Sequence, residues 1–129
     1  MVNPNRQQQA ARHEVRARNY RRQAESLLER ENDLDCASAL IYESAKQCIN
    51  ALANQQGFNP TRTGDKERFL IGIAQREDIS DALISLWKLT DQLHIYADRE
   101  HLNQQDYMEA WAGSLTFIDN MLAIYAVNQ

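Results

Sequence analysis

Apolar residues recur along this chain at steps of three and four, the period of a helix with one buried side. In the first such stretch, from about Gln9 to Glu31, the positions are Ala10, His13, Ala17, Tyr20, Ala24, Leu27 and Leu28, with no glycine or proline between them. Asn32-Asp33 interrupts the pattern, and Asp33 or Asp35 is placed to cap a second helix running to about Gln55. That helix carries a wide face of small and apolar residues, Ala37, Leu40, Ile41, Ser44, Ala45, Cys48, Ile49 and Leu52, and is expected to be the most buried element. Gly57 reads as its C-cap, and Phe58 to Gly64, with Asn59-Pro60 inside, as a loop.

A short helix over about Asp65 to Gln75 is expected to turn Phe69, Leu70 and Ile73 inward. Ser80 is placed to cap a fourth helix with the stripe Leu83, Leu86, Trp87, Thr90, Leu93, His94, Ala97 and His101. Asn103 caps the last, which shows Tyr107, Met108, Trp111, Leu115, Ile118, Met121, Leu122 and Tyr125. Short turns make consecutive long helices antiparallel. The expected fold is all-α, an antiparallel four-helix up-down bundle with one additional short helix. Residues 1–8 are read as a flexible tail and residues 9–127 as a single domain.

Composition narrows the class. A chain of 129 residues, 43% hydrophobic and 25% charged, suits one soluble domain. Four glycines and two prolines are too few for a many-turned all-β fold. No uninterrupted apolar run approaches the roughly 18 residues of a membrane span, and Met1-Val2-Asn3-Pro4 opens no secretory signal. The expectation is a cytoplasmic protein without membrane contact. Cys36 and Cys48 fall on one helix, roughly 18 Å apart at about 1.5 Å per residue, too far to pair. Both read as small buried hydrophobes.

The net charge of −4 conceals an asymmetry. Residues 1–30 hold seven arginines against Glu14, Glu25 and Glu29, so that segment is +4 and the remainder −8. Arginine suits bidentate phosphate contact, which makes Arg12, Arg16, Arg18 and Arg22, with Arg99 on the fourth helix, candidates for nucleic-acid binding. A solvated face answering the acidic body of the same protein is the competing reading.

Most familiar chemistries are missing. No glutamate is followed three residues later by histidine, as a carboxylate di-metal bundle requires. Two cysteines on one helix and three scattered histidines give no zinc spacing. There is no phosphate-binding glycine loop and no Gly-x-Ser-x-Gly elbow. Neither metal nor cofactor is expected. What remains is His94 to His101: on a continuous helix, seven residues at about 100° bring both imidazoles within about 20° of one azimuth, roughly 10.5 Å apart. Ala97 leaves space between them and Asp98 flanks the same face. One ring could take a proton from a ribose 2′-hydroxyl while the other gives one to the leaving oxygen. His94, His101 and Asp98 are therefore the candidate catalytic set. Histidines on an apolar stripe also serve as hydrogen-bonded core or interface residues, and Trp87 and Trp111 read as core anchors.

Three stretches resemble the HEPN superfamily, small helical domains often found beside nucleotidyltransferases or acting as RNases. They are Ala37-Ser38-Ala39-Leu40-Ile41-Tyr42-Glu43-Ser44-Ala45-Lys46 with Ala51-Leu52 and Gly57; the Pro60-Thr61-Arg62-Thr63 loop leading to Phe69; and His94-Ile95-Tyr96-Ala97-Asp98, with Phe117-Ile118 and Leu122 on the last helix. The resemblance spans roughly Arg12 to Tyr125. The family's chemical signature is arginine, four to six residues, then histidine. His101 can serve as that histidine, but His94 or Tyr96 stands in the arginine's place. The resemblance implies metal-independent RNA cleavage in active members and a homodimer built on the motif face, with a nucleotidyltransferase or antitoxin as partner. Three readings stay open: a non-catalytic HEPN-like module binding nucleotide, RNA or a protein; an RNase, toxin-like or a stress effector; and a purely structural helical interaction protein.

Overall fold

The structure, a computed structural model, describes residues 4–76 and 82–129. The described chain is all-helical, with five helices: α1 (Pro4–Glu31), α2 (Leu34–Gln55), α3 (Thr63–Arg76), α4 (Ala82–Arg99) and α5 (Gln104–Val127). The expected Ser80 cap lies outside the described residues.

α2 is central and packs against each of the other four helices. Its fully buried Ile41, Ile49 and Leu52 face the rest of the core, each side chain contributing about 1.5–3 kcal/mol of transfer free energy. α1 docks on it through Ala10, Ala17 and Ala24, seven residues apart and all buried. Methyl-sized side chains let the two backbones come close. Ser44 Oγ on α2 donates directly to the Ala17 carbonyl on α1 at 2.6 Å. The seam is fixed at two more levels, by His13 Nδ1 to Gln47 Oε1 at 2.5 Å and by Arg6 to Asn54 Oδ1 at 3.0 Å. These pairs make α1 and α2 antiparallel.

α5 runs parallel to α2. At one end the Tyr107 hydroxyl donates to the Leu34 carbonyl at 3.2 Å and accepts from Ser38 Oγ at 3.0 Å; at the other, Gln55 Nε2 donates to the Tyr125 carbonyl at 2.9 Å. α4 lies between and antiparallel to both, its Trp87 wedged between Tyr42 of α2 and Phe117 of α5. Trp87 and Trp111 are buried, as their apolar register implies.

Several ends form as the sequence signals. Asp33 caps α2 by accepting from the Cys36 N–H, and Asn103 caps α5 through the Asp106 N–H. Gly57 follows α2 at φ 91°, with the Phe58 N–H returned to Ala53 O at 2.8 Å, a Schellman closure.

Three expectations are corrected. Residues 4–8 are helical rather than a tail: Pro4 suits the first helical turn, where its missing N–H costs nothing, and the Arg6–Asn54 bond ties that turn to α2. Cys48 is buried but Cys36 is exposed, because it sits in the first turn of α2 beyond the core face. α4 ends at Arg99, so His101 is not on it. Glu100 takes φ 49° and closes the helix with its N–H on Tyr96 O at 2.9 Å, a left-handed cap that sequence signals for glycine or asparagine do not announce.

α5 also bears on the membrane reading. Its most apolar 18-residue window has a mean hydropathy of 1.2, which by length and composition is enough to cross a membrane, and half of that window is buried inside the protein.

Candidate functional site

The early end of α4 decides the fate of the histidine pair. His94, on the helix, turns toward α2 and stacks on Tyr42, ring centroids 4.0 Å apart and planes 18° from parallel. His101 lies beyond the cap, where its Nε2 donates to Gln92 Oε1 at 2.9 Å and its ring stands 6.4 Å from Tyr96. Gln92 and Tyr96 are each two residues from His94, hence about 160–200° around the helix from it. The two imidazoles therefore sit on opposite flanks of α4 and do not share a cavity. The expectation of a common azimuth fails because it assumed helix through residue 101. Asp98 keeps the His94 flank one turn on, but it is exposed and among the described residues forms no hydrogen bond or ion pair.

Around His94 the structure assembles a different group. Tyr42 carries Lys46 Nζ 5.6 Å from its ring centre, and Lys46 in turn pairs with Glu43 at 2.8 Å. Burial, reinforced by the carboxylates of Asp91, Glu43 and Glu67, pushes the Tyr42 phenol up to about 12. It is a neutral phenol at physiological pH, which rules it out as a base. Lys66 of α3 is nearly buried and donates to the Pro60 carbonyl at 3.2 Å, fixing the loop to the helix. Burial, then Lys46, lowers its pKa. The sequence reading found His94 but not its partner. The available signal was the four-residue step from Tyr42 to Lys46, which marks one flank of α2 outside the apolar stripe. No nucleophile–base contact arises in this group, and among the described residues no three His, Cys, Asp or Glu side chains gather as metal ligands.

The arginines of α1 divide by azimuth. Taking the buried Ala17 direction as reference, Arg18, Arg21 and Arg22 project on one flank together with Glu14, Glu25 and Glu29, all within about 40–140°. There Arg18 pairs with Glu14 at 3.1 Å, and Arg21 spans Glu25 at 2.8 Å and Asp119 of α5 at 2.5 Å. These contacts, with burial opposing them, leave the Arg21 pKa raised. Arg22 donates to Asn19 at 2.6 Å. The opposite flank holds Arg12 and Arg16 without a glutamate of α1 at the same height between Arg12 and Gln23, while Arg30, nearer the end of the helix, lines the groove between α1 and α5. Arg12, Arg16 and Arg30 are exposed, and among the described residues none of them forms a hydrogen bond or ion pair. Of the candidate phosphate contacts, then, Arg12 and Arg16 are available, Arg18 is compensated, Arg22 is held by a neutral amide, and Arg99 stands exposed in the last turn of α4, apart from the others.

Compared with models of protein families, with curated proteins and with solved structures, the chain matches none.

Proposed function

We propose that this chain is a non-catalytic, HEPN-like helical module that binds RNA or nucleotide phosphate through α1, as a homodimer. The observation that carries the reading is the segregation of charge on α1: glutamates neutralise Arg18 and Arg21 on one flank and leave Arg12 and Arg16, one turn apart, with their guanidinium groups unpaired. Unpaired guanidinium groups in register are suited to successive phosphates. The up-down order of α1, α2, α4 and α5, with α3 inserted, supports the HEPN-like part of the proposal. The separation of His94 from His101 is why the module is read as non-catalytic and the RNase reading is set aside.

The test is fluorescence anisotropy of a labelled single-stranded RNA across a salt series. Binding is expected at low salt and weakens as salt rises, since phosphate contacts release counterions. The pair Arg12→Glu and Arg16→Glu should abolish it, and Arg18→Glu should change it less. Absence of binding at low salt, or binding untouched by the Arg12/Arg16 pair, overturns the proposal. Light scattering on the same samples reads the dimer.

A further inference from the structure

At the end of the molecule where the α1–α2 turn, the close of α4 and the start of α5 meet, a cleft of about 580 Å³ opens. Its walls are apolar and aromatic: Leu28, Leu34, Leu102, Met108, Tyr96 and Tyr107. Met108 remains 46% exposed at its edge. Around this apolar floor stand carboxylates. Glu29 lines the cleft, and Asp33, Asp35 and Glu100 lie close enough to hold the Tyr96 or Tyr107 hydroxyl above its ordinary pKa, after the larger effect of burial. Asp35 and Glu100 are close enough to hydrogen-bond to each other, which raises the Glu100 pKa. Among the described residues none of these four carboxylates is in an ion pair. Glu29 also borders the groove between α1 and α5, which Arg18, Arg21, Arg22 and Arg30 line, so Asp33, Asp35 and Glu100 form the part of the rim away from those arginines, with Arg99 the cation of α4's last turn.

From the apolar cleft and its uncompensated acidic rim, we infer that this end docks a basic amphipathic segment of a partner protein. Apolar side chains of that segment enter between Leu34, Leu102 and Met108, and flanking lysines or arginines meet Glu29, Asp35 and Glu100. A second copy of this chain fits less well. Its basic stretch, α1, has already committed Leu27 and Leu28 to its own core and offers only Val15 as a large exposed apolar group. A bare polyanion is repelled here, so the surface is distinct from the arginine flank.

The probes are three short synthetic peptides: an amphipathic Leu/Lys helix, its Leu/Glu counterpart and a Ser/Lys peptide of equal charge. Each is titrated against the full chain by fluorescence anisotropy. The Leu/Lys peptide should bind, more weakly as salt rises, and the other two should not. Met108→Glu, at an exposed position, should weaken binding several-fold, the loss of an apolar contact at the cleft's edge. Glu29→Lys should weaken the Leu/Lys peptide and let the Leu/Glu peptide bind, an inversion that a merely structural role would not produce. Circular dichroism confirms that each variant is folded. The inference is overturned if no peptide binds, if Leu/Glu binds as well as Leu/Lys, if neither variant alters binding, or if the chain self-associates in a way that Met108→Glu dissolves. The Arg12→Glu/Arg16→Glu pair should leave peptide binding intact, so failure here and failure of RNA binding are read separately.

Discussion

Two glycines in helix interiors are expected to answer the same substitution oppositely. Outside its own helix backbone and among the described residues, a Cβ built at Gly72 in α3 meets no heavy atom within 4 Å, whereas one at Gly113 in α5 falls 2.6 Å from Leu89 Cδ1 and 3.3 Å from Leu89 Cβ. In an unobstructed helix interior, alanine is favoured over glycine by about 0.8–1 kcal/mol. For a domain of this size, one kcal/mol moves the melting temperature by roughly 3–5 °C. Gly72→Ala should therefore raise Tm by about that amount. At Gly113 the same gain is opposed. Leu89 must leave its rotamer, at about 0.5–1.5 kcal/mol, and the contact to its Cβ requires α4 to shift, an overpacking cost of about 1–3 kcal/mol. The net effect is at best neutral and more readily a loss of a few degrees.

Thermal melts followed at 222 nm measure both variants. A double-mutant cycle with Leu89→Ala isolates the cause: in a Leu89→Ala background the obstruction is gone, and Gly113→Ala should turn stabilising, with a coupling of about 1 kcal/mol or more. If Gly113→Ala raises Tm as much as Gly72→Ala does, α4 and α5 are not packed this closely. If Gly72→Ala lowers Tm, the open space beside α3 is filled in solution.

Three further outcomes are expected. Ellman's reagent should titrate one thiol per native chain, the exposed Cys36, and reach Cys48 only in denaturant, since burial pushes the Cys48 thiol up to about 12; Cys36 should react slowly, because its hydrogen bond to Asp33 and that carboxylate's charge raise its own pKa. Stability should decline in alkali: the unfolded chain releases the Tyr42 proton near pH 10 while the native state holds it to about 12, so stability present below pH 10 is lost between those values, and Tyr42→Phe should flatten that part of the Tm profile. Glu100→Gln should raise Tm at neutral pH and not at low pH, because the raised Glu100 pKa marks a repulsion with Asp35 that protonation relieves; equal effects at both pH values would show that the carboxylates do not face one another.

The helical pattern was readable because α2, α4 and α5 bury stripes whose spacing is dictated by 3.6 residues per turn, and because Asp33, Asn103 and Gly57 are side chains chosen for cap chemistry. The break at Glu100 was not, since a glutamate in the left-handed region carries no local signature. Two residues of misjudged helix, Glu100 and His101, moved the second imidazole to the far flank and dissolved the candidate catalytic pair. The arginines of α1 were legible as cations, but which of them are neutralised depends on azimuth and, for Arg21, on Asp119 in α5, nearly a hundred residues distant in sequence. Tyr42 was hidden for a related reason: its partner His94 comes from another helix, and periodicity reports which side of a helix is buried without saying against what.

The distribution of charge links the two proposed surfaces. Glu14 and Glu25 are spent on Arg18 and Arg21 within α1, and Asp119 ties Arg21 to α5, a helix that shares little direct packing with α1. Had those glutamates lain on the Arg12 flank, Arg12 and Arg16 would be paired and the unpaired cations of α1 would fall on the side facing α5. Had the acids of the far end been paired internally, the cleft beside Met108 would be a small apolar gap with no preference of partner. Both arrangements cluster like charge, and with 14 basic against 18 acidic groups some carboxylates lack a cation in any arrangement. Self-repulsion makes such clustering unfavourable to folding, as the Asp35–Glu100 contact illustrates. Replacing Glu100 by glutamine should therefore stabilise the chain while weakening the basic-peptide preference, a trade that a purely structural helical protein would not make.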